Sequence, residues 1–218
     1  MPELAGRQPF SENMYQIIQN YFSETLTKHG ATAKGADWKD DHAQQLRFVE
    51  LSRILSKSRQ EHFSVTDFGC GTGAFIDFLV KEKFNFSYLG IDCTRLMIET
   101  ARKINTDKAN CRFEEATSLS SQTDFTVVSG TFNYKGMTPF SQWQDYVLDT
   151  LVNIDRFSTR GFAFNLLTSY SDEDKMLDHL YYPDPAFYFD FCKRNFSRNV
   201  ALLHDYGAYE FTILVRKQ

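Results

Sequence analysis

Apolar positions along this chain change their spacing twice, and each change marks a new kind of element. Met14, Ile17, Ile18, Tyr21 and Phe22 recur every three to four residues, which predicts an amphipathic helix over residues 12–28. Ser11 stands where an N-cap belongs, and Phe10 and Tyr15 are placed to staple the first turn. A polar stretch with glycines runs from His29 to Asp37. Asp40 or Asp41 then caps a second helix reaching Leu55, with Phe48, Leu51, Ile54 and Leu55 on its inner side.

From residue 64 short β-rich runs alternate with helical patterns. Val65-Thr66-Asp67-Phe68 precedes a helix carrying Phe75, Ile76, Leu79 and Val80. Tyr88 to Asp92 is a second strand, after which Thr94 caps a helix with Leu96, Met97, Ala101 and Ile104 facing inward. Cys111 to Glu114 and Phe125 to Ser129 follow as strands. Thr138-Pro139 reads as an N-cap with proline at N1, opening a helix with Trp143, Val147, Thr150, Leu151 and Ile154 on its buried side. Gly161 to Leu167 is a fifth, central strand, and a helix occupies Pro183 to Asn195. The end differs in kind. Val200 to His204 and Tyr209 to Val215 flank a turn at Gly207 and predict a hairpin, so the last strand runs antiparallel.

This order predicts an α/β three-layer sandwich: a mostly parallel seven-stranded sheet ending in an antiparallel hairpin. Residues 1–218 form one domain, with 1–60 as an N-terminal helical cap and 61–218 as a Rossmann-like core. With 21 Phe, 11 Tyr and 2 Trp, one core of this size cannot hide every ring, so some must line a pocket.

A net charge of −4 with both signs mixed leaves no basic stripe for a phosphate backbone, so nucleic acid is not the expected partner. Met1 to Arg7 lacks the apolar run of a signal peptide, and no window is long and apolar enough to span a bilayer. Four separated cysteines without a Cys-x-x-Cys pair, and five histidines without ligand spacing, point to a cytoplasmic protein with reduced thiols and no metal.

The chemistry concentrates at Asp67-Phe68-Gly69-Cys70-Gly71-Thr72-Gly73-Ala74, between the first strand and its helix. Glycines there tighten the turn and let a ligand approach the backbone. The spacing Gly69-x-Gly71-x-x-Ala74 also satisfies the dinucleotide fingerprint, and Asp92 ends strand two where an acid binds ribose hydroxyls. On the loop alone, an NAD(P)-dependent oxidoreductase and an S-adenosylmethionine (SAM) enzyme are both open. Asp67 inside the strand end suits a cofactor with a cationic amino acid group and is awkward beside a pyrophosphate. The terminal hairpin replaces the second mononucleotide-binding half.

From Val65 to the C-terminus the chain resembles class I SAM-dependent methyltransferases, whose first motif is similar to Asp67 to Gly73. The resemblance implies SAM as cofactor, its amino acid end on Asp67, Gly69, Cys70 and Gly71, and its ribose on Asp92. Cys93, Met97, Glu115, Ala116, Thr117 and Ser129 complete the expected cofactor site. Many members carry an aspartate after strand three where this chain has Glu115-Ala116. Arg47, on the helix ahead of strand one, is a candidate to hold the cofactor carboxylate bidentately. Trp38 and Tyr15 could close the same pocket.

Acceptor residues are expected beyond the carboxyl ends of strands four and five and at the hairpin turn: Phe132, Asn133, Asn165, Tyr170 and Tyr206. Ser129 to Lys135 is only loosely similar to the Asn/Asp-Pro-Pro-Tyr/Phe motif of amino-methylating nucleic-acid enzymes and lacks both prolines. The segment, with the His-Asp-Tyr and Phe-Thr of the tail, is closer to a bacterial subgroup with small or sugar-like acceptors. That resemblance implies methyl transfer to a small acceptor, with a hydroxyl of a sugar or metabolite expected; a hydroxyl gains from a general base of suitable pKa, for which His204 and His179 are the candidates. A non-catalytic SAM-binding protein is the remaining alternative.

Overall fold

Between residues 62 and 167 helices separate successive strands except β3 and β4, and a helical crossover returns the chain to the same end of the sheet. Parallel pairing is the consequence. The computed structural model describes residues 12–55 and 59–217. Its strands are β1 (His62–Phe68), β2 (Asn85–Asp92), β3 (Cys111–Glu115), β4 (Thr123–Val128), β5 (Ser158–Leu167), β6 (Asn199–Leu203) and β7 (Glu210–Arg216). They form one sheet in the order β3-β2-β1-β4-β5-β7-β6. β1 pairs in parallel with β2 and β4, β2 with β3, and β4 with β5. The hairpin reverses direction, and β7 inserts antiparallel between β5 and β6. This is the mostly parallel, seven-stranded sandwich with a terminal hairpin that the pattern predicts.

The helices are α1 (Glu12–His29), α2 (Asp41–Ser52), α3 (Ala74–Lys81), α4 (Arg95–Ile104), α5 (Phe140–Phe157) and α6 (Pro185–Asn195). One apolar cluster joins Phe48 and Leu51 of α2, Phe75, Ile76 and Leu79 of α3, and Ile98 and Ala101 of α4 to Phe63 and Val65 of β1. The other joins Trp143, Val147 and Leu151 of α5 and Tyr188 and Phe191 of α6 to Phe162 and Phe164 of β5. Inward residues therefore serve both faces of the sheet, as a sheet covered on both sides requires. Among the described residues no helix is long and apolar enough to cross a membrane.

Local signals place most boundaries. Asp40 caps α2, its Oδ1 accepting from the Ala43 amide at 2.8 Å. Asp184 does the same for α6 from Ala186, with Pro185 at the first helical position. The Thr138-Pro139 signal is displaced by one residue: Pro139 is itself the cap position and the helix begins at Phe140. The expected cap at Ser11 and its staple with Phe10 lie outside the described residues.

Helix faces are less faithful to the pattern. Leu96 and Ile104 are exposed, and α4 buries Met97, Ile98 and Ala101 instead. Val80 and Ile17 are likewise exposed. Each apolar stripe is wider than the contact it makes, so the packing partner selects which edge is covered.

The order of strands reverses between β1 and β4, and their carboxyl ends leave a crevice there. α1, the turn that follows it, and α2 close over that crevice.

Candidate active site

The glycine loop is held open by its backbone. Gly69, Gly71 and Gly73 all have left-handed φ, at 78°, 53° and 85°. Only glycine adopts that conformation without strain. The Gly69 and Cys70 amides donate to the carbonyl of Ile91 at 2.7 and 3.0 Å, which ties the loop to the end of β2. At Gly69 an added Cβ would stand 2.0 Å from Thr131 Oγ1, so the β4 segment packs directly on this turn.

Two carboxylates flank the loop. Asp92 Oδ2 accepts from the Gly71 amide at 2.9 Å and Oδ1 from the Thr94 amide at 2.8 Å. Burial raises its pKa, and those backbone amides oppose the rise. Asp67 is buried beneath the loop and accepts from the Tyr88 hydroxyl at 2.7 Å. Burial lifts its carboxyl to about 7, with the Tyr88 bond pulling down and the Asp92 charge adding a little. Burial likewise raises the Cys93 thiol to about 12 and holds Cys70 well above its ordinary value, so both are neutral sulfur surfaces.

A cleft of about 400 Å³ opens above this loop. On the side of the glycine loop it is lined by Asp67, Gly69, Cys70, Gly71, Asp92, Cys93, Met97, Ala116, Thr117 and Ser129. All but one of the expected cofactor positions on the core meet there. Glu115 is the exception: it is exposed and does not line the cleft, because alternation along β3 turns it away, and Ala116 and Thr117 form that wall. α1 is fastened over this end. Gln19 donates to the carbonyl of Cys93 at 2.8 Å, and Tyr15 lines the cleft beside Tyr146.

The opposite end is built by the segment after α1. Asp37 takes a left-handed φ of 62° and directs Trp38 onto Gly130. Tyr21 donates to Asp37 Oδ2 at 2.9 Å and stacks on Tyr134, with ring centroids 3.9 Å apart. Behind Trp38, the Arg47 guanidinium lies 4.4 Å from the indole ring and pairs with Glu210, Nε to Oε2 at 2.7 Å and Nη2 to Oε1 at 2.5 Å. Glu210 is 1% exposed and also accepts from Asn165 and Asn133. Arg47 thus lines the cleft as expected, but its bidentate partner is a protein carboxylate.

Several expected acceptor residues lie elsewhere. Phe132 is fully buried in the apolar cluster under α5 and does not reach the cleft, since the turn after Gly130 points it inward. Tyr170 is 74% exposed, and Tyr206 bonds Thr212 outside the cleft. His204 is exposed at the hairpin, where its ring neighbours are Tyr170 and Phe211. His179 sits behind the wall, 5.9 Å from the Tyr134 ring, and does not line the cleft. Asn133 does line it. Asn165 is buried behind it, its Oδ1 accepting from the Gly130 amide at 2.8 Å.

No motif marks Asp37, Tyr21, Phe22, Tyr146 or Glu210 as site residues, and Tyr21 and Phe22 read only as positions of an amphipathic helix. Glu210 carried a signal, as one acid in the apolar run Tyr209 to Val215. A lone charge inside a central strand needs a partner.

The donor set fits SAM on observations of this structure alone. Left-handed glycines expose the loop backbone, Asp67 offers a negative partner to an amino group, and Ser129 Oγ is buried without a hydrogen-bond partner. Comparison with known proteins agrees. Residues 65–147 match the family model described as a methyltransferase domain. A Mycobacterium tuberculosis protein named "Putative methyltransferase Rv1506c" is 47% identical over 155 residues, covering 71% of this chain and 93% of that protein. Among solved structures, the fold is similar to magnesium protoporphyrin IX methyltransferase from Synechocystis PCC 6803 with bound SAM. The TM-score is 0.65 at 13% identity, over 96% of this chain and 100% of the other. A second is Burkholderia thailandensis 1,6-didemethyltoxoflavin-N1-methyltransferase with bound 1,6-didemethyltoxoflavin and S-adenosylhomocysteine (SAH), at TM-score 0.65 and 12% identity, over 100% and 98%.

Proposed function

This chain belongs to the class I SAM-dependent methyltransferases, and from that premise we propose that it methylates a hydroxyl group of a small molecule, a sugar or related metabolite. The nicotinamide alternative falls with the family membership. What carries the small-acceptor reading is the cleft itself: about 400 Å³, walled by Trp38, Tyr134 and Phe22, and shared by cofactor and acceptor. Such dimensions are those of a small-ligand site. The toxoflavin enzyme, whose bound acceptor is a small molecule, supports the same class.

When bound, SAM supplies an electrophilic methyl group on a sulfonium. The residues of this chain hold and orient what surrounds it. The Gly69–Gly71 turn and Asp67 take the amino acid end, Asp92 the ribose, and Ala116 and Thr117 the base. Ser129 and Asn133 stand between the two ends of the cleft. Methyl transfer is dominated by placing the nucleophile in line, and the rigid wall of Trp38 on Gly130 provides that placement. Asp37, oriented by the Tyr21 hydroxyl, receives the acceptor proton in this reading, in place of the two histidines.

The test is calorimetry with SAM and SAH on wild-type protein and Asp92→Ala, then SAH release against a panel of hydroxylated metabolites. Binding abolished by Asp92→Ala, with oxygen-methylated product, supports the reading. SAM binding with methyl found only on nitrogen or carbon acceptors sinks it.

A further inference from the structure

Building on the small-hydroxyl reading above, we infer that the acceptor chamber selects by charge: it takes an uncharged or amine-bearing molecule and excludes phosphates and carboxylates. Arg47 is the one cation among the described residues that line the cleft. Its charge is already matched inside the protein: Nε and Nη2 donate to Glu210, Nη1 to the carbonyl of Ala43, and one face of the guanidinium is covered by Trp38. Asp37 and Asp41 also line the cleft, and among its described lining residues no arginine or lysine besides the Glu210-paired Arg47 offsets them. Lys135, next to the wall, points its amine to the carbonyl of Gly136 instead.

Two backbone donors at the strand ends are also taken. The Gly130 amide, at the end of β4, donates to Asn165 Oδ1 at 2.8 Å, and the Leu167 amide, at the end of β5, donates to Asn133 Oδ1 at 3.1 Å. A phosphate site needs such amides or a guanidinium left open. Ser129 Oγ is buried and without a partner, and it serves a hydroxyl or an amine equally well. Trp38 and Tyr134 line the cleft without adding positive charge, each already carrying a partner on one face, Arg47 and Tyr21 respectively.

The same field acts on the cofactor, because SAM carries a sulfonium charge that SAH lacks. Calorimetry with these two ligands therefore reads the field without any acceptor. SAM is expected to bind roughly tenfold more tightly than SAH at low salt. The ratio should shrink in Asp37→Asn/Asp41→Asn and as salt rises. Equal or tighter SAH binding, or a ratio indifferent to the substitutions, overturns the inference.

On the acceptor side, methyl glucoside, glucosamine, glucose 6-phosphate and glucuronate are titrated into SAH-loaded protein. The two anionic compounds should bind at least about tenfold more weakly than their partners. Anionic compounds binding as well as the others overturn it. Turnover separates this failure from that of the parent reading: a methyl group located on the glucosamine nitrogen refutes hydroxyl transfer and leaves the charge rule standing.

Discussion

Trp38 packs against Gly130, so closely that a Cβ at residue 130 would stand 2.2 Å from its Cη2 atom. The indole belongs to the segment that follows α1, and the glycine ends β4, so this contact docks the N-terminal helices onto the sheet at the cleft. Gly130 also has a left-handed φ of 70°. Gly130→Ala therefore meets both backbone strain and a collision, and should cost about 1–3 kcal/mol. Adding Trp38→Ala should relieve the collision and leave the strain, so the double variant loses less than the sum of the singles. Scanning calorimetry decides it: strict additivity would mean the two residues are not coupled.

Asp67 sets a pH dependence. Its carboxyl titrates at about 7 in the folded chain against an ordinary 3.8. Between those values the folded state holds a proton that the unfolded state has released, so stability falls as pH rises from about 4 to 7 and is level above. Asp67→Asn keeps an acceptor for Tyr88 and should be the more stable protein at pH 8, by up to about 4 kcal/mol. A cationic amino group bound beside Asp67 favours its ionised form. SAM affinity should thus climb with pH up to about 7 and then level, with proton uptake by buffer visible in calorimetry. A pH-independent affinity would remove Asp67 from the cofactor contact.

Arg47 and Glu210 form a nearly buried pair, 12% and 1% exposed. Removing one partner leaves the other charge stranded in a dry site. Arg47→Met should destabilise the protein by about 3–5 kcal/mol, and Arg47→Met/Glu210→Gln by distinctly less. Urea denaturation of the three proteins gives the ordering, and equal losses would show that the attraction itself, not the stranded acid, dominates.

His204→Ala should retain turnover within about twofold, because the ring is exposed at the hairpin and does not line the cleft. A loss of a hundredfold or more, of the size expected for a general base, would restore it to the mechanism.

Much of the glycine-loop half of the candidate site was legible because its logic is local. A strand, three glycines that must turn left-handed, a helix and an acid at the end of the next strand lie within 26 residues of one another, Asp67 to Asp92. Backbone conformation there follows from residue type over short range, and so does the order of strands and helices. The acceptor half was largely not legible. Sequence spacing places Phe132 and Asn133 side by side, yet one points into the core and the other into the cleft.

The chain's residue pattern by itself determined a sheet of seven strands, its final reversal, and the glycine loop with Asp67 and Asp92. Only the tertiary structure decided that Arg47 would pair with Glu210, 163 positions away, that Trp38 would cover Gly130, and that His204 would face solvent. Periodicity governs the type of an element. Which side chain reaches which partner depends on how helices and strand ends pack against each other, and that is settled only when the whole chain has closed.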